Sequence, residues 1–150
     1  MKNTVLLSYP ICQNTPLYGS TPFVAIKSFS SLANGDSANS SVITIHNHSG
    51  THIDCPRHFV SDGKCLTDYV PDDFSFYSPL VLDIPLNEGD LLLPESIEQY
   101  KDELSEADIL LIRTGFFKYR SEQKYKTHNP GISKEAFQYL RSNFKGLNDY

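Results

Sequence analysis

The sequence has few of the features that assign a chain to a specialised structural class. Its only cysteines, Cys12, Cys55 and Cys65, are odd in number and widely spaced, and they form no Cys-x-x-Cys pair. This pattern argues against a disulfide framework or a thiolate zinc site, so we expect three unbridged thiols that are buried or half-buried. No apolar run approaches the ~18–20 residues that span a bilayer. The first residues also lack the long apolar stretch of a secretory signal, which predicts a cytoplasmic protein.

Basic residues are also few. The chain has 13 Lys and Arg against 18 Asp and Glu, a formal net charge of −5, and its basic residues are spread along the sequence. Nucleic acids and anionic membranes are bound through basic patches, so neither is an expected partner. With 150 residues, of which 39% are hydrophobic, the chain is long enough for a real core. We therefore expect one soluble domain over residues 1–150.

Five segments are predicted to be strands. Residues 4–7 are apolar and are followed by Pro10, which would end the first strand. Residues 23–29 and 41–46 flank a polar segment that contains the turn dipeptide Asn34-Gly35, which predicts a hairpin with a long loop. Residues 80–84 are a candidate buried strand. Residues 108–113 are so continuously apolar that a central strand is predicted.

Two helices are predicted in the second half. The first covers about residues 94–104, where Pro94 suits an initial helical turn. After a predicted turn at 129–131, Ser133 is a suitable N-cap for the second helix, and Gly146 a suitable end. Such a helix normally leads into another strand, but only residues 147–150 follow, so we expect a chain truncated at its C-terminus. The apolar residues on one face of this helix are Ala136, Phe137, Leu140 and Phe144.

Histidine is the informative residue, since four of the five histidines lie in one short stretch. His48 and His52 have the i,i+4 spacing that would place them on one helical face. The interleaved Gly50 and other weak helix formers favour a bend instead, followed by an extended piece in which His52 and Asp54 point the same way. Two imidazoles and a carboxylate would suit Zn²⁺, Mn²⁺ or Fe²⁺ with positions left for water. His58 would then approach the same cavity as a proton-transfer group rather than a ligand.

The bland alternative is that these are polar or capping residues of a surface loop. The combination of three histidines and an aspartate at this spacing makes that interpretation the weaker one. His46 ends the predicted hairpin and is more consistent with a structural role. Cys55 should face away from Asp54, and His128 is expected to be solvent-exposed.

The stretch from His48 to Phe59 resembles the signature of the cyclase-type metal-dependent hydrolases, a family that includes bacterial kynurenine formamidases. Every fixed position of the pattern His-x-Gly-Thr-His-x-Asp-x-Pro-x-His-Phe is present. Further similarity lies in residues 7–11, 108–115 and 129–133, so the resemblance covers nearly the whole chain. It implies an α/β fold with a mixed β-sheet and flanking helices, and assembly as dimers or tetramers.

The resemblance also implies roles for individual residues. His48, His52 and Asp54 would be metal ligands, with Asp54 able to bridge two ions, and His58 would donate and accept protons. Tyr18 matches a position where formamidases place a tryptophan against the aromatic ring of the substrate. The family takes a further histidine and a glutamate from a C-terminal part that this chain does not contain.

Three functions remain open from the sequence. The leading hypothesis is a metal-dependent hydrolase that cleaves the C–N bond of an amide, formamide or cyclic amide in a small aromatic substrate, such as N-formylkynurenine. The second is a catalytically inactive, truncated relative that retains a metal site. The third is a module that binds a small molecule or a partner protein through the loop around Tyr18. The presence of His58 beside all three candidate ligands favours an ancestry selected for chemistry, but does not by itself predict activity of this chain.

Overall fold

The computed structural model describes residues 4–144, and the contacts divide the chain into two compact units, Met1–Leu66 and Thr67–Tyr150. Within residues 4–144, no helix combines the length and apolar character required to cross a bilayer. In the same residues no disulfide joins Cys12, Cys55 or Cys65. Cys55 and Cys65 are half-buried, whereas Cys12 is exposed, so the predicted burial is wrong for Cys12.

The first unit contains the predicted long-looped hairpin. Strands β1 (Ala25–Ser30) and β2 (Ser40–Thr44) pair antiparallel, from Ala25 opposite Thr44 to Ser30 opposite Ser40. A 3-10 turn, Leu32–Asn34, begins the connection and is followed by Gly35 at φ 87°. Because residues with a side chain rarely adopt this left-handed conformation, glycine suits the turn. The prediction from Asn34-Gly35 is therefore confirmed.

The predicted strand at residues 4–7 is wrong. The segment has no strand geometry, and Val5, Leu6 and Leu7 are 73%, 75% and 90% exposed. A strand is stable only when a neighbouring backbone accepts its hydrogen bonds, and the described part of the chain provides no such neighbour for this segment. The apolar composition of residues 4–7 is therefore not enough to predict a strand.

Parallel strand pairs form the second unit. Strand β3 (Pro79–Asp83) pairs with β5 (Ile109–Arg113), and β4 (Leu91–Leu92) pairs with β6 (Gly131–Ile132). Together with the antiparallel hairpin and the helices, these pairs confirm the predicted α/β class with mixed strand directions. The prediction of a central strand at 108–113 is wrong for the described residues, where β5 pairs only with β3 and Leu111 is 45% exposed.

The helix predicted at 94–104 is broken into shorter pieces. Two 3-10 turns, Pro94–Ser96 and Glu98–Tyr100, precede helix α1 (Lys101–Glu106). Between the turns, Ile97 has a φ of −120°, which is outside the helical range, and its side chain is completely buried. Burial of this side chain in the core therefore competes with regular helix geometry.

Helix α3 (Lys134–Asn143) confirms the predicted cap, because the Ser133 hydroxyl accepts a hydrogen bond from the Ala136 amide. The predicted apolar face is buried except at Phe137, which is 50% exposed. The predicted end at Gly146 lies outside the described residues. The predicted turn at 129–131 is wrong: Gly131 belongs to β6, and Pro130 favours an extended residue before it.

Among the described residues of the second unit, the buried apolar side chains form a core cluster. Helix α2 (Lys124–Thr127) and the 3-10 turn Phe116–Tyr119 lie between β5 and β6 in the chain. The cluster combines residues of β3, β4, α1, α3 and the connections between them. Its buried members are Leu82, Ile84, Leu92, Ile97, Leu104, Ala107, Ala136, Leu140 and Phe144.

Candidate metal centre

A sharp bend after β2 brings the histidines together. Gly50 has a φ of 65°, and a Cβ at this position would lie 3.3 Å from Cγ1 of Ile11. The hydroxyl of the buried Ser49 donates to the His46 carbonyl at 2.6 Å, which fastens the start of the bend. The segment from His52 to Cys55 then runs without regular structure to the 3-10 turn Pro56–His58. The predicted bend is present, and the helical alternative is excluded.

His48, His52 and Asp54 converge at this bend. Nδ1 of His48 lies 2.7 Å from Oδ1 of Asp54, and Nε2 of His52 lies 3.4 Å from the same oxygen. The two ring nitrogens are 3.2 Å apart. Two imidazole nitrogens and a carboxylate oxygen are therefore in mutual contact, and their assignment as metal ligands stays a prediction.

Hydrogen bonds behind these atoms fix the orientation of each ring. His52 Nδ1 donates to the Gly50 carbonyl at 2.9 Å, which leaves Nε2 as the acceptor that faces Asp54. The Asn47 amide lies 3.0 Å from Nε2 of His48. Such contacts on the far side of a ring determine its tautomer and strengthen it as a metal ligand.

His58 approaches the same point from the 3-10 turn. Its amide donates to the Cys55 carbonyl at 2.8 Å, and its ring centroid is 4.1 Å from that of His48. His48, Asp54 and His58 each offer one potential ligand atom, and these three atoms all lie within 4.8 Å of one another. The geometry thus allows His58 to act either as a ligand or as a neighbouring proton-transfer group, and its role as a non-ligand stays a prediction.

An open pocket of about 840 Å³ surrounds these side chains. It is accessible to a small molecule, since the side chains of His48, His52 and Asp54 are 22%, 31% and 48% exposed. Asn47 and Arg57 also line the pocket, and the sequence analysis did not single them out. Asn47 directly precedes the motif, whereas Arg57 occupies one of its variable positions, for which the pattern specifies no residue type. The remaining lining residues are Thr51, Ile53, Cys55, His58 and Leu66.

Other candidate residues lie apart from the converging atoms. Tyr18 is 69% exposed, its carbonyl accepts hydrogen bonds from Thr21, and it does not line this pocket. Its role in substrate binding stays a prediction. His46 contacts the site indirectly, because its Nδ1 accepts from the His48 amide at 3.3 Å. His128 is exposed, as expected, and lies near Glu88.

Comparison with known proteins assigns the family. A family model described as "Putative cyclase" matches residues 5–146. The chain belongs to the Cyclase family. The match includes the whole His48–Phe59 motif, so the resemblance found in the sequence is confirmed.

Three relatives of the Cyclase-family chain are informative. This chain is 33% identical to an uncharacterized protein of Haemophilus influenzae over 111 residues, which cover 73% of this chain and 78% of that protein. It is 30% identical to the kynurenine formamidase of Bacillus cytotoxicus over 122 residues, 81% of this chain and 54% of the enzyme. It is 41% identical to the Bacillus cereus kynurenine formamidase over 63 residues, 41% of this chain and 30% of that enzyme. The chain thus spans about half the length of one formamidase and less of the other.

The donor set fits a divalent cation. Imidazole and carboxylate are common ligands of Zn²⁺ and other first-row metals, and the atoms converge without any rearrangement of the backbone. In the structure, the Asp54 carboxylate contacts the imidazoles of His48 and His52. If a cation were bound by the three groups, metal–ligand contacts would replace these direct contacts. His48, His52 and Asp54 would hold the ion, and His58 is close enough to contribute.

Proposed function

We propose that this Cyclase-family chain is a metal-dependent hydrolase that cleaves the C–N bond of an amide or formamide in a small aromatic substrate. The observation that carries the proposal is the convergence of two imidazoles, one carboxylate and the His58 ring in an open pocket. Membership of the family and the similarity to kynurenine formamidases support a hydrolase-like function. An arylformamide such as N-formylkynurenine is the substrate this similarity suggests.

The chemistry needs an activated water and a proton for the leaving group. A bound divalent ion supplies Lewis-acid polarisation and makes water acidic enough to react near neutral pH. In the reaction a C–O bond forms from water, the C–N bond breaks, and the products are a carboxylic acid and an amine. His58 accepts a proton from the attacking water and transfers it to the departing nitrogen.

The surrounding residues hold the reacting groups in place. Asp54 accepts a hydrogen bond from Nδ1–H of His48 and would offer its oxygens as ligands when a metal is bound. The Gly50 carbonyl holds the His52 ring with Nε2 directed to the site. The Phe59 ring lies 4.2 Å from the His58 ring and limits the orientations that the imidazole can adopt.

One observation favours the alternative of a metal-binding protein without turnover. Hydrolytic sites usually restrict bulk water, which strengthens electrostatic interactions with the substrate. Here both Asp54 and His58 are exposed in the described part of the chain. A homo-oligomer, which the family resemblance implies, stays part of the proposal, and a subunit covering this pocket is one way to restrict water there.

The test is metal analysis of the purified protein combined with a formamide-hydrolysis assay. We expect about one divalent ion per site and hydrolysis that disappears after chelation and returns when Zn²⁺, Mn²⁺ or Fe²⁺ is added. Stoichiometric metal without hydrolysis of any arylformamide would favour the binding protein. Absence of both metal and hydrolysis after metal addition would overturn both proposals.

A further inference from the structure

Arg57 is a fixed positive charge at the wall of the metal pocket. It lies in the 3-10 turn Pro56–His58, directly before His58, and its side chain lines the same pocket as His48 and Asp54. An arginine is charged at every physiological pH. The pocket therefore contains a permanent cation in addition to the candidate metal site.

The backbone of Arg57 is fastened to the far end of its loop. The Arg57 amide donates to the Lys64 carbonyl at 3.1 Å. Gly63 approaches so closely that a Cβ there would lie 2.8 Å from the Arg57 nitrogen. Only glycine permits this approach, since a side chain at this position would push the two ends of the loop apart.

Within residues 4–144, the hydrogen bond that holds the Arg57 side chain uses Nε and leaves the end of the guanidinium available. Its Nε donates to the Gly63 carbonyl at 3.1 Å. Among residues 4–144, no carboxylate forms an ion pair with Arg57, whereas Arg113 is paired with Asp83. Asp54, the carboxylate of the pocket, instead contacts His48 and His52. The terminal N–H groups of Arg57 can thus donate hydrogen bonds to an anionic group from outside the chain.

From this arrangement we infer that Arg57 determines substrate specificity by binding a carboxylate of the substrate. The planar fork of a guanidinium matches a carboxylate with two parallel hydrogen bonds. The substrate class is then an arylformamide or arylamide that bears a carboxylate at a distance from the scissile bond. This inference rests on the proposed function for its substrate, but the interaction with a carboxylate can be measured separately.

A matched pair of substrates tests the inference in the metal-loaded protein. The pair is an N-formyl-aminobenzoate and the corresponding carboxamide, which differ in charge but share the scissile bond. We expect Arg57→Gln to raise KM for the acid about 10- to 100-fold, the range expected for a charge-assisted hydrogen bond. KM for the carboxamide and the bound metal should change little. Arg57→Lys should restore part of the loss, because it keeps the charge without the fork.

The control is Lys27→Gln, which removes one positive charge from exposed strand β1, outside the pocket. It should leave both KM values unchanged. If Arg57→Gln affects acid and carboxamide equally, or affects neither, Arg57 does not recognise a carboxylate and the inference is wrong, while the hydrolase proposal stands.

A binding measurement decides the inference even if neither substrate is hydrolysed. Calorimetric titration with aminobenzoate and aminobenzamide should show at least about tenfold weaker aminobenzoate binding in Arg57→Gln than in the unchanged protein. A carboxylate bound by the metal alone would give equal affinity in both proteins at equal metal content. That result would overturn the role of Arg57, whereas failed hydrolysis with Arg57-dependent binding would overturn only the catalytic proposal.

Discussion

Nδ1 of His48 lies 2.7 Å from Oδ1 of Asp54, although a bend at Gly50 separates the two residues in the chain. The carboxylate also lies 3.4 Å from His52 Nε2, so one oxygen is shared by both imidazoles. A metal ion placed among these groups would replace both contacts.

Asp54→Asn tests this shared oxygen. An amide has one oxygen and no charge, so we expect the affinity for Zn²⁺ to fall by more than about 100-fold, since groups behind the ligands already contribute 10- to 100-fold. Titration with a competing chelator measures the affinity. Asp62→Asn, an exposed carboxylate of the same unit that does not line the pocket, is the control. Unchanged affinity in Asp54→Asn would remove Asp54 from the ligand set.

Asn47→Ala tests the support behind His48. When Nδ1 of His48 faces the metal, Nε2 carries the proton and needs an acceptor, which the Asn47 amide oxygen can provide after the amide turns over. We expect metal affinity to fall about 10- to 100-fold with no change in the number of ions bound at saturation. An equal affinity would mean that solvent supports the ring as well as Asn47 does.

Gly50→Ala tests whether the bend positions the histidines. At φ 65° an alanine is strained, and its Cβ would meet Ile11, so the free energy of unfolding should fall by about 1–2 kcal/mol. We also expect weaker metal binding, because the bend joins His48 to His52. Gly35→Ala introduces similar strain at φ 87°, in the hairpin connection. It should destabilise the chain without changing metal affinity, and equal losses of affinity in both variants would contradict a specific role for Gly50.

Asp83 and Arg113 predict a pH dependence of stability in the second unit. The hydrogen bond and charge of Arg113 hold the pKa of Asp83 below its usual value. A lowered folded-state pKa contributes stability above the unfolded-state value, about pH 4, and the contribution is lost as the pH falls through the folded-state value. Unfolding of Asp83→Asn should therefore require less denaturant than the unchanged chain at pH 7. The two midpoints should converge in acid, and a constant difference down to pH 2 would contradict the ion pair as its cause.

Short sequence patterns correctly predicted the elements that are stabilised mainly by contacts between residues close together in the chain. The hairpin followed from Asn34-Gly35 between two β-prone segments, and the start of α3 from Ser133. The converging site was predictable for the same reason, because a glycine bend and the alternation of His52 and Asp54 lie within a few residues.

The errors lie where distant contacts decide the structure. Residues 4–7 have strand composition but no pairing partner in the described chain, and Ile97 interrupts a helix because its side chain is buried in the core. Arg57 was missed because its position depends on a loop that closes at Gly63, which no short pattern reveals.

His58→Ala separates a proton-transfer group from a ligand. The His58 ring lies 4.1 Å from the His48 ring, so either role is within reach. As a general acid and base it should contribute about 10²–10⁴-fold to kcat, and its loss should leave the metal content unchanged. His52→Ala should instead lose metal and activity together, because a ligand is removed. Parallel metal analysis and steady-state kinetics of the two variants give the comparison, and loss of metal from His58→Ala would make His58 a ligand.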